Sequence, residues 1–91
     1  MIDPHKTKVV TNLKKAQGQM AHVLKMIEEE AYCLDIATQI NAALGLLKKA
    51  NSHVLESHLT TCGARHLTQK DPEKKASFIK ELVRVFSVTN R

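Results

Sequence analysis

The sequence predicts an all-α fold built from three helices. Aromatic residues make up only 3% of the chain, and there are only three Gly and two Pro. Helices with cores of Leu, Ile, Val and Ala have this composition, whereas sandwiches and barrels use more β-branched and aromatic residues. Apolar residues also recur in alternating steps of three and four, the spacing of one helix face. We treat residues 1–91 as a single helical domain, since 91 residues suffice for one domain.

The first predicted helix begins at "DPHK" and ends near "EEEAY". Asp3 is a favourable N-cap, and Pro4 suits the first helical position. Three glutamates at 28–30 oppose the helix dipole and favour an end there. The predicted apolar stripe consists of Val9, Leu13, Ala16, Met20, Val23, Leu24 and Ile27.

The second predicted helix starts close to Cys33, continues past Cys62 and stops at Gly63. Gly45 lies inside it at a cost of about 1 kcal/mol in helix propensity. Because the turn before this helix is short, we expect the first two helices to form a long antiparallel hairpin. The predicted apolar stripe consists of Ile36, Ala37, Ile40, Ala43, Leu44, Leu47, Asn51, Val54, Leu55, His58 and Cys62.

The third predicted helix is short, with Asp71 as its N-cap and Pro72 at its first position. Its apolar positions are Phe78, Ile79, Leu82, Val83 and Phe86, which suggest a lid on the hairpin. The hairpin helices, at about 25 residues each, span roughly 38 Å, which one short helix cannot cover. We therefore expect a dimer that closes a four-helix bundle.

Composition also bears on location and partners. No apolar run approaches the roughly 18 residues of a membrane span, and "MIDPHKTKVV" has no signal-peptide core, so we expect a cytoplasmic protein without membrane contact. The net charge of +5 favours a polyanionic partner such as DNA, although a solvated lysine face would give the same charge. Neither paired carboxylates nor a phosphate loop nor a Ser/His/Asp set is apparent, which argues against an enzyme.

Cys33, His58 and Cys62 carry soft metal-binding side chains in the pattern C-x24-H-x3-C. On a helix, His58 and Cys62 lie one turn apart on one face. Cys33 is about 37 Å away along the same helix, so it can join them only from an antiparallel neighbouring chain. Thiolates favour Cu(I), Zn(II) or iron–sulfur centres. Three ligands fit trigonal Cu(I) better than Zn(II), which usually requires a fourth ligand, and Zn(II) stays an alternative. His and Cys also occur as ordinary core residues, which leaves that interpretation open.

The chain resembles the copper-sensitive operon repressor family (CsoR) from about residue 10 to residue 86. The segments that carry the resemblance are "NLKKAQGQMAHVLKMIEEEAYCLDIATQINA" and "LESHLTTC". Gly18-Gln19, "MIEE", Tyr32-Cys33 and "TQI" follow the family's pattern in register. The resemblance implies dimers of antiparallel hairpins that form a flat dimer-of-dimers tetramer. It also implies a repressor that binds operator DNA without a helix-turn-helix.

The resemblance implies roles for individual residues as well. Cu(I) bound by Cys33 of one subunit with His58 and Cys62 of its neighbour would release the DNA. Tyr32 and Glu81 match the residues that surround the copper site, and such neighbours orient a ligating histidine. The family's DNA-binding positions correspond to Lys14, Lys15, Gln19, Lys48 and Lys49. The family favours Arg there, and Lys neutralises phosphate without the bidentate fork.

Three alternatives stay open at this stage. A persulfide or redox sensor of the same fold would use only Cys33 and Cys62 and no metal, although related sulfur sensors usually lack a histidine at position 58. A nickel sensor would recruit His5, which stands about one helical turn from the expected position. A metal buffer or purely structural oligomer would not bind DNA. His22 could extend the basic patch, and His53 and His66 match no motif, so we interpret those two as surface or core residues.

Overall fold

The computed structural model describes residue 1, residues 3–60 and residues 70–87. Three helices make up this part of the chain: α1 (His5–Glu28), α2 (Cys33–Thr60) and α3 (Pro72–Ser87). No β-strand occurs among these residues, so the all-α prediction is confirmed. The predicted passage of the second helix beyond Cys62 and its stop at Gly63 lie outside the described residues.

Helix α1 begins one residue later than predicted. Pro4 takes the N-cap position and has no side chain that can cap the helix. The Asp3 side chain supplies the missing acceptor from one residue further back, since its Oδ1 accepts the Thr7 N–H at 3.2 Å and also the Thr7 hydroxyl. The Pro4 carbonyl accepts the Lys8 N–H at 3.2 Å. Asp3 therefore satisfies a free backbone donor of the first turn, as the sequence predicts.

A four-residue turn joins α1 to α2. Glu30 adopts φ 56°, the left-handed conformation that often ends a helix. The Ala31 N–H returns to the Met26 carbonyl at 2.9 Å, which closes the end of α1. The Tyr32 carbonyl then accepts the Asp35 and Ile36 N–H groups at 3.0 and 3.1 Å and opens α2. This short connection produces the predicted antiparallel hairpin.

The two hairpin helices meet along a seam whose residues alternate in steps of four and three on both helices, as in a coiled coil. Ala16, Ala43 and Ala50 are buried at its centre, where small side chains let the helices approach closely. The seam residues, all buried or half-buried, are His5, Val9, Asn12, Ala16, Gln19, Val23 and Met26 of α1 and Ile36, Gln39, Ala43, Leu46, Ala50, His53 and Ser57 of α2.

The seam corrects part of the predicted stripes. Some predicted core residues do lie in it, among them Ala16 and Ala43. Several larger ones stay exposed instead: Leu13, Met20, Leu24, Ile27, Ile40, Leu44 and Leu47. The predicted stripes merged the seam with a second apolar row beside it, because both rows share the helical period.

The second row forms an open apolar groove along one face of the hairpin, with a volume of about 380 Å³. We call this surface the groove; its lining residues are Met20, Val23, Leu24, Ile40, Ala43, Leu44 and Leu47. The chain measures 58 × 27 × 13 Å along its principal axes, so it is about one helix thick. A single layer of helices cannot bury both of its faces, which explains why these large side chains remain exposed.

Helix α3 lies against the end of α2. Phe78 is buried, and its ring centroid stands 5.5 Å from that of His58, with the planes tilted by 39°. This contact places α3 over the C-terminal part of α2, in agreement with the predicted lid. Within the described part of the chain, none of the helices combines the length and the hydropathy needed to cross a membrane.

Candidate functional site

Cys33 is the first residue of α2 and is exposed with a free thiol. Tyr32, directly before it, is 64% exposed. Both side chains therefore stand open to solvent or to another chain at the turn of the hairpin.

His58 lies in the last turn of α2 and is half-buried. Beside the Phe78 ring, it lines a cleft of about 200 Å³ between α2 and α3. Glu81 lines the same cleft, so the histidine and the carboxylate that the sequence analysis paired lie in one place. The rest of the cleft is apolar and consists of Val54, Leu82, Val85 and Phe86.

Cys33 and His58 lie at opposite ends of one continuous helix. Their separation of 25 residues corresponds to about 37 Å, which no side chain spans. It also corresponds to about seven full turns, so the two side chains project on the same side of α2. That side is the one that carries Ile40, Leu44 and Leu47 of the groove.

The third sequence-predicted ligand, Cys62, lies outside the described residues. Within residues 1, 3–60 and 70–87, no group of three His, Cys, Asp or Glu side chains is already arranged to hold a metal ion. Cys33 and His58 of one chain are too far apart to bind the same ion. The donor set itself, two thiolates and an imidazole, suits a soft ion such as Cu(I).

The predicted DNA-binding lysines are all exposed, namely Lys14, Lys15, Lys48 and Lys49. Counting about 100° per residue, Lys15 and Lys49 lie on the flank of the seam away from the groove, and the other two point further outward. Gln19 differs from them. It is half-buried in the seam, where its Nε2 donates to Gln39 Oε1 across the two helices.

One cluster was missed by the sequence analysis. The Nδ1 atoms of His5 and His53 each lie 3.7 Å from Glu56 Oε2. Gln19 and Gln39 face each other across the seam. His5 precedes Gln19 by 14 residues on α1, and His53 follows Gln39 by 14 residues on α2, so each histidine is two heptads from its glutamine. An antiparallel pair keeps its register over that length, so the Gln19–Gln39 contact, once known from the structure, also aligns His5 with His53.

Comparison with known proteins agrees with these features. The family model described as "Metal-sensitive transcriptional repressor" matches residues 5–87. The copper-sensing transcriptional repressor CsoR of Bacillus subtilis (strain 168) is 30% identical over 82 residues, which are 90% of this chain and 81% of that protein.

Two mycobacterial relatives match a shorter region. The copper-sensing transcriptional repressor RicR of Mycobacterium tuberculosis is 35% identical over 60 residues, which cover 66% of this chain and 62% of RicR. CsoR of Mycobacterium ulcerans is 37% identical over 57 residues, which cover 63% of this chain and 49% of that protein. The matched regions thus span less than two thirds of these two relatives.

No solved structure matches the chain significantly. The family model nevertheless extends over all three helices, including the turn with Cys33 and the cleft with His58. Its family consists of repressors rather than enzymes. The chain belongs to the family of metal-sensitive transcriptional repressors.

Proposed function

We propose that this protein is a Cu(I)-responsive transcriptional repressor. It binds operator DNA without metal and releases the DNA when Cu(I) binds Cys33 of one subunit and His58 and Cys62 of its neighbour. The single observation that carries the proposal is the position of Cys33 and His58, at opposite ends of α2 but on one side. The relatives named as copper-sensing repressors support the choice of ion.

The groove supports a site shared between two chains. A second hairpin that covers the groove with its own groove would form a four-helix bundle, the natural closure for a single helical layer. If the two α2 helices run antiparallel there, Cys33 of one chain comes beside His58 and Cys62 of the other. The same contact that buries Leu44 and Leu47 then assembles the ligands.

Helix α3 provides the connection between the ligands and the rest of the chain. His58 contacts Phe78 and shares its cleft with Glu81, so a change in the orientation of the imidazole alters the seating of α3. In the proposed site Glu81 orients His58, and Tyr32 lies next to Cys33. A metal-induced movement of α3 would thereby change the shape of the assembled repressor.

The lysines support a separate surface for DNA. In the register set by Gln19 and Gln39, Lys15 and Lys49 are about 9 Å apart along the hairpin axis. They lie on the flank away from the groove, so a hairpin dimer leaves them free to neutralise phosphates. Lys14 and Lys48 extend this surface, whereas Gln19 contributes through the seam.

An anaerobic Cu(I) titration followed by binding to the cognate operator tests the proposal. We expect one Cu(I) per chain, a DNA affinity that falls at least tenfold on loading, and a steep decrease of affinity with salt. His58→Ala should abolish the copper-dependent fall in DNA affinity. The matched control His22→Ala, exposed on α1, should keep the same fold decrease on copper loading, whatever its affinity for DNA without metal.

Three results would contradict the proposal. An unchanged DNA affinity at full copper occupancy excludes the copper switch. The sulfur-sensing alternative based on Cys33 and Cys62 predicts a different pattern. In that case the parent protein keeps its DNA in the presence of copper, and the His58→Ala variant still releases DNA on treatment with persulfide. Absence of salt-dependent DNA binding by the metal-free protein would identify a metal buffer or structural oligomer.

A further inference from the structure

We propose that His5, His53 and Glu56 form a second metal site, which takes a divalent ion of the zinc class and joins the start of α1 to α2. Glu56 Oε2 lies 3.7 Å from the Nδ1 atom of each histidine. The three residues come from two helices that the seam holds together, so the arrangement belongs to the folded hairpin and exists in one chain.

The Nδ1 atoms of both histidines in this cluster lack hydrogen-bond partners. His5 Nδ1 and His53 Nδ1 are both shielded from solvent, and neither has a partner within hydrogen-bond distance. A shielded polar atom without a partner is costly, and such an atom in a native structure calls for an explanation. A bound cation would satisfy both nitrogens through their lone pairs, while the more exposed Glu56 leaves a path for it to enter.

The donor set is chemically suited to zinc. Two histidines and one glutamate, with water as fourth ligand, form a recurring zinc site in proteins. His53 and Glu56 are three residues apart on one helix, so their side chains lie one turn apart on the same face. Thiolates are absent from the cluster, so its preference is for borderline ions such as Zn(II) over Cu(I).

The cluster is open rather than preassembled. Zinc bonds of about 2.1 Å in a tetrahedral arrangement place neighbouring donors about 3.4 Å apart. The observed 3.7 Å contacts exceed this by a few tenths of an ångström. In the observed side-chain positions no group of three His, Cys, Asp or Glu side chains among the described residues could hold a metal ion. Binding of zinc therefore requires the two histidines and Glu56 to move closer together.

This site is distinct from the proposed copper site. His58 follows His53 by five residues, a rotation of about 140° around α2, so the two histidines project on different sides of the helix. His58 contacts α3, whereas His53 faces the start of α1. The inference therefore goes beyond the proposed function and does not depend on it.

Calorimetric titration with Zn(II) tests the inference on the full chain carrying Cys33→Ser and Cys62→Ser, which removes competing thiolates. We expect one Zn(II) per chain, with an affinity that falls at least tenfold on adding either His5→Ala or Glu56→Gln. His22→Ala is the matched control, because His22 is an exposed histidine of the same helix, and it should leave the affinity unchanged.

Thermal unfolding provides a second measurement. Saturating Zn(II) should raise the Tm of the Cys-free chain, because an ion that joins α1 and α2 binds only the folded hairpin. The increase should disappear in Glu56→Gln, an almost isosteric change at a largely exposed side chain. Zinc affinity that is unchanged in either variant, or zinc binding that leaves the Tm unchanged, would overturn the inference.

Discussion

Asp3 shows how one carboxylate outside a helix can control its first turn. The Thr7 hydroxyl and then the Thr7 N–H, both of which donate to Asp3, lower the pKa of this carboxyl below its usual 3.8, and Lys6 adds a smaller effect in the same direction. A lowered pKa means that the charged form is favoured in the folded state. The stabilisation is therefore complete above pH 3.8 and is lost as the pH falls through the lower folded-state pKa.

We accordingly expect Asp3→Ala to lower the Tm at pH 7, since it removes the acceptor of the first turn. The difference from the parent chain should shrink below pH 3.8 as the parent loses its own charge. Thermal unfolding of both chains across this pH range measures the effect. A difference that stays constant down to pH 2 would show that the charge of Asp3 does not contribute.

The Gln19–Gln39 pair makes a second prediction about single side chains. Gln39→Met removes the acceptor of the Gln19 amide within the seam, while Gln39→Glu keeps an oxygen in place. We expect the first change to cost about 1 kcal/mol of unfolding free energy, the usual value for one hydrogen bond. Urea unfolding at one fixed protein concentration compares them. Equal losses in both variants would contradict a role for the acceptor.

The sequence predicted some of these residues and not others, for reasons that depend on chemistry. Cys33 and His58 were recognised because soft metal ligands are rare in the sequence. Both lie on one helix, so their separation could be calculated from the sequence alone. His5 and His53 did not, because their meeting depends on how two helices align. That alignment becomes visible only when the seam and its Gln19–Gln39 contact are known.

At the scale of the helices, the sequence predicted where each helix lies in the chain, but it predicted only some of the residues on their buried faces. Hydropathy ranks Leu44 and Leu47 above Ala43 and Ala50, yet the alanines occupy the seam and the leucines line the groove. Close approach of two helices selects small side chains, and periodicity alone cannot separate such a seam from a larger stripe beside it. The packing of α1 against α2, rather than hydropathy, therefore determines which residues are buried in the seam.

Gly45 makes a prediction for α2 as an element. A Cβ added at this position meets nothing within 4 Å, and the backbone is helical. Gly45→Ala should therefore raise the free energy of unfolding by about 1 kcal/mol through higher helix propensity. Gly18→Ala on α1, where a Cβ is equally unobstructed, provides the matched comparison in urea unfolding. A loss of stability at Gly45 alone would indicate that another chain occupies that space.

The described part of the chain has two unlike faces. One carries the groove and, on the same side of α2, Cys33 and His58. The opposite flank carries Lys15 and Lys49, both exposed. A layer about one helix thick can expose a partner surface and a DNA surface without either obstructing the other. Association through the groove would therefore create the proposed copper site while the lysines remain available to DNA.

Leu44→Glu tests this connection between assembly and metal binding. Leu44 is 48% exposed in the chain but lines the groove, where a partner would bury it. A carboxylate buried in such an interface without a counterion is strongly unfavourable. We expect the parent to sediment as dimers or larger assemblies and Leu44→Glu as monomers. We also expect Cu(I) affinity to fall at least tenfold in Leu44→Glu, because each proposed site takes ligands from two chains. Val10→Glu is the matched control, since Val10 is 41% exposed on α1 and lies outside the groove. Unchanged assembly in Leu44→Glu would exclude the groove as the subunit interface, and unchanged copper affinity in a monomer would exclude a shared site.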